Sequence, residues 1–282
     1  MLAFLFVDGL GLSRDPRSPL QRLELPTLKA LSQGFGPEPA DRPGQAYRVL
    51  DAGLGVEGLP QSGTGQTTLL TGRNAARMLG FHQGPHPLRS LQALLAQESL
   101  QVWARRQGLR VLHANGYRPE YLERAQRSRR NLLSAFGYAA RCAGLELLPA
   151  GHPLALPPAF WNDPKAAGRR FAELAQEHHL TILENWALDY AAHRAPDELE
   201  ARFSELDRFV EGFLEAAPAA TLVIAADHGN AEEPWHPQHT RNPVPLLVCG
   251  PLATTVPPMR SLTELAPWVR EQLKNGGAGG RI

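Results

Sequence analysis

Short apolar runs alternate with longer amphipathic stretches along this chain of 282 residues. The apolar runs predict buried strands, at 2–7, 110–114, 181–183, 221–226 and 244–249. Apolar residues recur with helical spacing in the stretches between them, at 25–31, 88–97, 166–177, 197–216 and 261–273. Strands that alternate with helices predict an α/β fold, with a mostly parallel central sheet and helices on both faces.

The middle of the chain differs from its ends. Proline-rich stretches at 84–87 and 148–158 border a section that is dense in arginine. Such borders are typical of an insertion, so we predict a cap subdomain over 83–162, inserted into a core formed by 1–82 and 163–282. The glycine-rich tail from Asn275 is predicted to be disordered.

Composition narrows the class of protein. The formal net charge is +1, which argues against a general nucleic-acid or membrane-surface protein. Cys142 and Cys249 are far apart and have no metal-ligand spacing, so a reducing cytoplasm is the expected location. No apolar run approaches the length of a membrane span or has the features of a signal peptide. We therefore expect no membrane partner, and the oligomeric state stays open.

Acidic and imidazole side chains follow the predicted strands. In α/β sheets the functional side chains collect at the carboxyl ends of strands. Asp8 follows the first strand, and Asp227 and His228 follow the run 221–226. Asp189 and His193 are four residues apart, so one helical turn places them on one face. Taken singly, a helix cap, a surface ion pair or a solvated histidine explains each of these residues as well as a metal ligand does.

The stretch QSGTGQTTLLTG, at 61–72, places a serine where a turn enters a helix. Gly63 and Gly65 allow close approach of the backbone, and the helix N-terminus stabilises an anion near Ser62. A serine hydroxyl is a weak nucleophile unless a base or a metal activates it. Neither a Gly-x-Ser-x-Gly elbow nor a P-loop lysine is present. A simple helix cap and a metal-activated serine both remain open.

Five motifs in this order resemble the alkaline phosphatase superfamily, in particular its branch typified by cofactor-independent phosphoglycerate mutase. They are VDGLG at 7–11, QSGTGQTTLLTG at 61–72, DYAAH at 189–193, IAADHGNAEE at 224–233 and HTRNPVPLL at 239–247. Ala192 stands where the branch has glycine. The superfamily's sulfatases would need a C/S-x-P-x-R context, which QSGTG lacks.

The resemblance implies an alkaline phosphatase-like fold and two divalent metal ions, manganese or zinc. It implies that one ion is held by Asp8, Ser62, Asp227 and His228, and the other by Asp189, His193 and His239. It further implies a phosphoserine intermediate at Ser62, with Thr64 as the fallback nucleophile. We expect Asn230 and Glu232 to support the ligands, and we assign Trp186 and Tyr190, near the ligands, to packing.

The middle section is too short to be the large substrate domain of those mutases, so water is the expected phosphoryl acceptor. We therefore predict a phosphatase or phosphodiesterase that acts on a small phosphorylated substrate. A related phosphomutase is the alternative. Arg118, Arg127 and Arg130, with Thr64, are candidate substrate-binding residues, and a solvated basic face is their alternative explanation. A non-enzyme that grips an anionic polymer through this cap, around a structural metal site, is the third hypothesis.

Overall fold

One seven-stranded sheet organises the computed structural model, which describes residues 1–277. Its strands are β1 Leu2–Val7, β2 Ala40–Arg42, β3 Gln45–Leu50, β4 Val111–His113, β5 Leu180–Asn185, β6 Thr221–Ala225 and β7 Val244–Cys249. They lie in the order β2-β3-β7-β6-β1-β5-β4. Both neighbours of β1 run parallel to it, so the carboxyl ends of β5, β1 and β6 meet at one edge.

Helices cover both faces of this sheet. Within residues 1–277 they are α1 Pro19–Arg22, α2 Pro26–Ser32, α3 Ser62–Thr71, α4 Ala75–Leu79, α5 Arg89–Glu98, α6 Leu100–Arg106, α7 Pro119–Arg127, α8 Ala135–Cys142, α9 Pro164–Glu177, α10 Ala187–Arg194, α11 Leu199–Ala216 and α12 Leu265–Gly277. Single turns of 3-10 helix occur at Pro196–Glu198, Pro251–Thr255 and Leu262–Glu264. The predicted α/β class is therefore confirmed.

The sheet is mixed, because β7 runs antiparallel to both β6 and β3, and β2 antiparallel to β3. Sequence analysis missed β2 and β3, since β3 carries an arginine at a buried position. Arg48 is nevertheless only 4% exposed. Its guanidinium pairs with Asp41 at 2.7 Å and donates to the backbone carbonyl of Val256 at 2.7 Å. These partners offset the cost of burying the charge.

Part of the predicted cap segment builds the core. Within 83–162, β4 is an edge strand of the main sheet. Phe136 on α8 stacks on Phe6 of β1, with ring centroids 4.5 Å apart. The division of the chain into a core and a cap stays a prediction for the remainder of that segment.

The C-terminal helix α12 continues to Gly277, so residues 275–277 are helical, contrary to the predicted disorder. The rest of the predicted disordered tail lies outside the described residues. Across the described range 1–277, none of the helices combines the length and apolar character that a membrane crossing requires.

Candidate metal centre

Ser62 is the first residue of α3 and lies against the loop that follows β6. Its Oγ is 3.0 Å from Nε2 of His228, and the residue is 7% exposed. Gly65, one turn into the helix, permits this approach, because a Cβ atom there would lie only 2.8 Å from the Cβ of Asp227. The small residues of the serine motif therefore bring the helix N-terminus into contact with the aspartate and histidine at the end of β6.

Asp8, Asp227 and His228 form one cluster around this serine. Nε2 of His228 is 3.2 Å from Oδ1 of Asp8 and 3.6 Å from Oδ2 of Asp227. Ligand atoms of the three residues lie within 4.8 Å of one another. Both carboxylate oxygens of Asp227 and Oδ1 of Asp8 are buried without a hydrogen-bond donor among the described residues.

A second cluster consists of Asp189, His193 and His239. Oδ1 of Asp189 is 3.6 Å from Nε2 of His193 and 3.7 Å from Nε2 of His239. The two imidazole Nε2 atoms are 3.1 Å apart. Nδ1 of His239 is 2.8 Å from the backbone oxygen of Pro60, to which it donates, so its Nε2 lone pair is directed at the cluster.

The two clusters are adjacent. The rings of His228 and His239 stack with centroids 3.8 Å apart. Ligand atoms of Asp189, His228 and His239 also lie within 4.8 Å of one another. One continuous site therefore contains three carboxylates, three imidazoles and the hydroxyl of Ser62.

The charges within this site do not compensate one another. Burial, and then the charge of Asp189, raises the pKa of Asp8. Burial also raises the pKa of Asp227. Burial disfavours the charged form of His228, but the carboxylates of Asp227, Asp8 and Asp189 outweigh it and raise its pKa to about 10. Burial, and then the charge of His228, lowers the pKa of His239 to about 4. The site thus groups three acidic side chains around an imidazole, that of His228, whose charged form they favour.

Oxygen and imidazole donors without thiolate suit a divalent cation such as manganese or zinc. The unpartnered oxygens of Asp8 and Asp227 and the converging Nε2 atoms of the second cluster are acceptors that need a cation. The residues present therefore fit the two predicted ions.

Asn230 and Glu232 orient the surrounding backbone and side chains. Nδ2 of Asn230 donates to Oδ1 of Asp189 at 2.7 Å. The carboxylate of Glu232 accepts from the amides of Gly11 at 3.1 Å and Asn230 at 2.7 Å, and it bonds the hydroxyl of Thr240. These contacts tie the loop after β1 to the loop after β6.

The other predicted site residues belong to neither cluster. Thr64 is fully buried, and its hydroxyl donates to the backbone oxygen of Gln61 at 3.0 Å. Arg127 and Arg130 are exposed, and Arg127 pairs with Glu123 at 3.4 Å. Arg118 is exposed beside a cavity that is described below. Their predicted roles in substrate binding stay predictions.

Comparison with known proteins supports the predicted class. Residues 163–277 match the family model described as the metalloenzyme superfamily. A search of curated proteins finds no sequence match to the chain. The family match covers α9 through α12 and includes Asp189, Asp227 and His239.

Solved structures share the fold at low identity. A protein from Pyrococcus horikoshii aligns with a TM-score of 0.60 and 12% identity, over 97% of each chain. A cold-active alkaline phosphatase from a psychrophilic Shewanella species aligns at 0.53 and 12%, over 96% of this chain and 99% of its own. An alkaline phosphatase mutant of the Antarctic bacterium TAB5, with Mg bound in its M3 site, aligns at 0.50 and 11%, over 97% of each.

The chain thus has the fold of the alkaline phosphatase superfamily, and its C-terminal part carries the metalloenzyme pattern. The resemblance to that superfamily is confirmed. The closer likeness to phosphoglycerate mutases stays a prediction.

Proposed function

We propose that this protein is a two-metal phosphoester hydrolase in which Ser62 is the nucleophile. The observation that carries the proposal is the position of Ser62, whose Oγ is 3.0 Å from Nε2 of His228 within a cluster of unpartnered carboxylate oxygens. A structural metal site has no use for a serine at this point. The alkaline phosphatases among the solved structures, one of them with bound Mg, support the same class of chemistry.

The ligands divide as the two clusters do. Asp8, Asp227 and His228, with Ser62, would hold one ion, and the remaining cluster of Asp189, His193 and His239 the other. Such ions lower the pKa of a coordinated hydroxyl and stabilise negative charge on phosphoryl oxygens.

The N-terminus of α3 complements this arrangement. The amides of Thr64 and Gly65 already donate, to the backbone oxygens of Gln83 and Gln61, each at 2.9 Å. The amides of Ser62 and Gly63 come before them, where a helix has no partner for its N–H groups. Phosphoryl oxygens at Ser62 therefore meet N–H donors and the positive end of the helix dipole.

The reaction has two displacements at phosphorus. Ser62 Oγ forms a bond to phosphorus as the ester alcohol leaves with a proton, which gives a phosphoserine. Water then attacks phosphorus, and Ser62 regains its proton as inorganic phosphate leaves. A phosphomutase would return the phosphoryl group to its organic product, and the product therefore separates the two candidates.

The test is turnover by protein that has been stripped of metal and reloaded with manganese or zinc. Release of phosphate from a generic monoester, and of the alcohol from a generic diester, is measured for the native chain and for Ser62→Ala. We expect metal-dependent release that falls by about a thousandfold or more in the variant, because the covalent route is lost.

Ser204→Ala is the matched control, since Ser204 is an exposed helical serine on α11 whose hydroxyl donates to the backbone of Glu200. It should keep native turnover. Equal activity in Ser62→Ala, or no ion bound at all, would overturn the proposal. Return of the phosphoryl group to the organic product, without release of phosphate, would establish the phosphomutase instead.

A further inference from the structure

A cavity of about 680 Å³ opens beside the metal centre, between the segment after β4 and helix α10. Its wall includes five aromatic residues: Tyr117, Tyr121, Phe160, Trp186 and Tyr190. A volume in this range is typical of a site for a small organic molecule. The metal clusters do not use these residues.

Two elements connect the cavity to the metal centre. Tyr190 of α10 lines the cavity. Asp189, just before it, and His193, three residues after it, are on the same helix and belong to the metal centre. Glu184 of β5 also lines it, and its register partner on β1 is Phe6, two residues before Asp8. Ser62, Asp189, His193 and His239 line a separate cleft, so α10 contributes residues to both spaces.

Glu184 is an uncompensated acid at this cavity. It is 6% exposed, and its contacts include a hydrogen bond with the side chain of Ser134, a hydroxyl hydrogen bond from Tyr117 at 3.4 Å and Nε2 of His113 at 3.5 Å. Burial raises the pKa of Glu184 to about 7 and lowers the pKa of His113 to about 3, so His113 supplies no positive charge. Among the described residues that line the cavity, Arg118 is the one base, and it is exposed.

The aromatic wall is available to a ligand. Phe160, Trp186 and Tyr190 are 41%, 36% and 45% exposed, so the sequence-based assignment of Trp186 and Tyr190 to packing is incomplete. Their rings meet edge to face, with centroids 5.6 to 5.8 Å apart. The guanidinium of Arg202, which is not among the residues that line the cavity, lies 4.8 Å from the centroid of the Phe160 ring, a contact that aromatic faces favour.

Phe160 adopts a left-handed backbone conformation, with φ of 56°. A bulky residue in that region is strained, and such strain persists where the surroundings hold a side chain in place. The strained residue here presents its ring to the cavity.

From the buried acid and the aromatic wall we infer that the cavity binds an alkylammonium group, so that the substrate is a phosphoester whose alcohol carries a positively charged nitrogen. Aromatic faces attract a weakly hydrated cation, and a buried carboxylate supplies the opposite charge. This substrate class rests on the proposed function, but binding of the ammonium group itself does not.

The test is calorimetric titration of metal-free protein with choline and with dimethylbutanol, its uncharged carbon isostere. Choline and dimethylbutanol have nearly the same shape and differ in charge. We expect choline to bind about tenfold or more tightly than the isostere, as a desolvated cation on aromatic rings requires. Equal affinity for the two, or no binding of choline, would overturn the inference. Tighter binding of adenosine than of choline would also overturn it, since the wall would then be a stacking surface for a base.

Glu184→Gln keeps the shape of the side chain and removes its charge, so it should weaken choline binding about tenfold without changing binding of the isostere. Tyr190→Ala, at an exposed position, should weaken choline binding as well. Glu98→Gln is the matched control and should bind choline as the native protein does, because Glu98 lies outside the cavity and pairs with Arg73. Native choline binding by both Glu184→Gln and Tyr190→Ala would contradict the assignment.

The two proposals fail separately. Choline binding without turnover of any phosphoester would support the ammonium site and contradict the proposed hydrolase. Ser62-dependent turnover of a generic ester without choline binding would support the proposed hydrolase and contradict the ammonium site.

Discussion

The metal centre and the aromatic cavity both bury acidic side chains whose pKa burial raises, but they do so in different surroundings. In the metal centre, Asp8, Asp189 and Asp227 converge with imidazoles at the ends of three neighbouring strands. In the cavity, Glu184 is the single acid among aromatic rings. Crowded oxygen donors favour a compact divalent ion, whereas one acid beside ring faces favours a diffuse organic cation. Adjacent sites can thus recognise the two ends of one molecule.

The sharpest test of the metal centre is Asp227→Asn. Asp227 is fully buried and neither of its oxygens has a donor among the described residues. We expect metal affinity to fall by at least about a hundredfold, since loss of residues that merely orient ligands already costs 10–100-fold. At pH 7 the metal-free variant should be more stable than the native chain by about 1–3 kcal/mol, because burial raises the pKa of Asp227 and asparagine removes the cost of holding that ionised acid in the folded protein. Metal titration and urea unfolding measure the two effects.

Asp207→Asn is the matched control, since Asp207 is equally a buried aspartate but has partners. Its carboxylate accepts from the amides of Leu28 at 2.7 Å and Thr27 at 3.4 Å, at the start of α2. This variant should lose about 1 kcal/mol of stability and keep native metal affinity. If both variants lost stability alike, Asp227 would be a structural residue and the comparison with the cavity would fail.

The cavity is tested by the pH dependence of stability in Glu184→Gln. The pKa of Glu184 is raised from 4.5 to about 7 in the folded chain. Between these values the folded state keeps a proton that the unfolded chain releases, so stability is present in full below pH 4.5 and is lost as the pH rises through 7. Glutamine does not titrate. The free energy of unfolding of the variant should therefore rise relative to that of the native chain as the pH increases, by up to about 3 kcal/mol at pH 8.

Urea unfolding of both metal-free chains at pH 4.5 and pH 8 measures this difference, since other titrating groups contribute equally to both. A constant difference between native and variant across that range would mean that Glu184 has a compensating partner in the folded protein. The proposed ammonium site would then have no uncompensated acid to bind a cation.

Sequence analysis brought the residues of the candidate metal centre together and missed the cavity for a physical reason. Asp8, Asp227 and His228 directly follow apolar runs, and the carboxyl ends of parallel strands meet at one edge. Short-range pattern and the topology rule were therefore enough to bring these residues together. The strands β2 and β3 were missed because the burial of Arg48 depends on Asp41 and on carbonyls that are distant in sequence.

The cavity has no comparable local signal. Its residues come from the segment after β4, from the loop before α9 and from the start of α10, and no spacing rule connects them. The predicted strand 181–183 also stopped before Glu184, whereas β5 continues to Asn185. Extending the predicted strand by one residue would have marked Glu184 as a buried acid. The cavity around Glu184, however, is enclosed only by the packing of distant segments.

The smallest expected effect concerns the exposed basic residues at the end of α7 and just after it. Arg127 pairs with Glu123 at 3.4 Å, and the two side chains are 82% and 62% exposed. Such pairs contribute about 0–1 kcal/mol, so Arg127→Ala should change the free energy of unfolding by less than about 0.5 kcal/mol. In Arg127→Ala, KM for a generic phosphoester should stay within about twofold of the native value. No such limit is expected for Arg118→Ala, because Arg118 lines the cavity. A tenfold rise in KM for Arg127→Ala would show that the substrate extends beyond the cavity onto the basic segment. Steeply salt-dependent binding to RNA or DNA, lost when Arg127, Arg129 and Arg130 are replaced by alanine, would instead favour the anionic-polymer hypothesis.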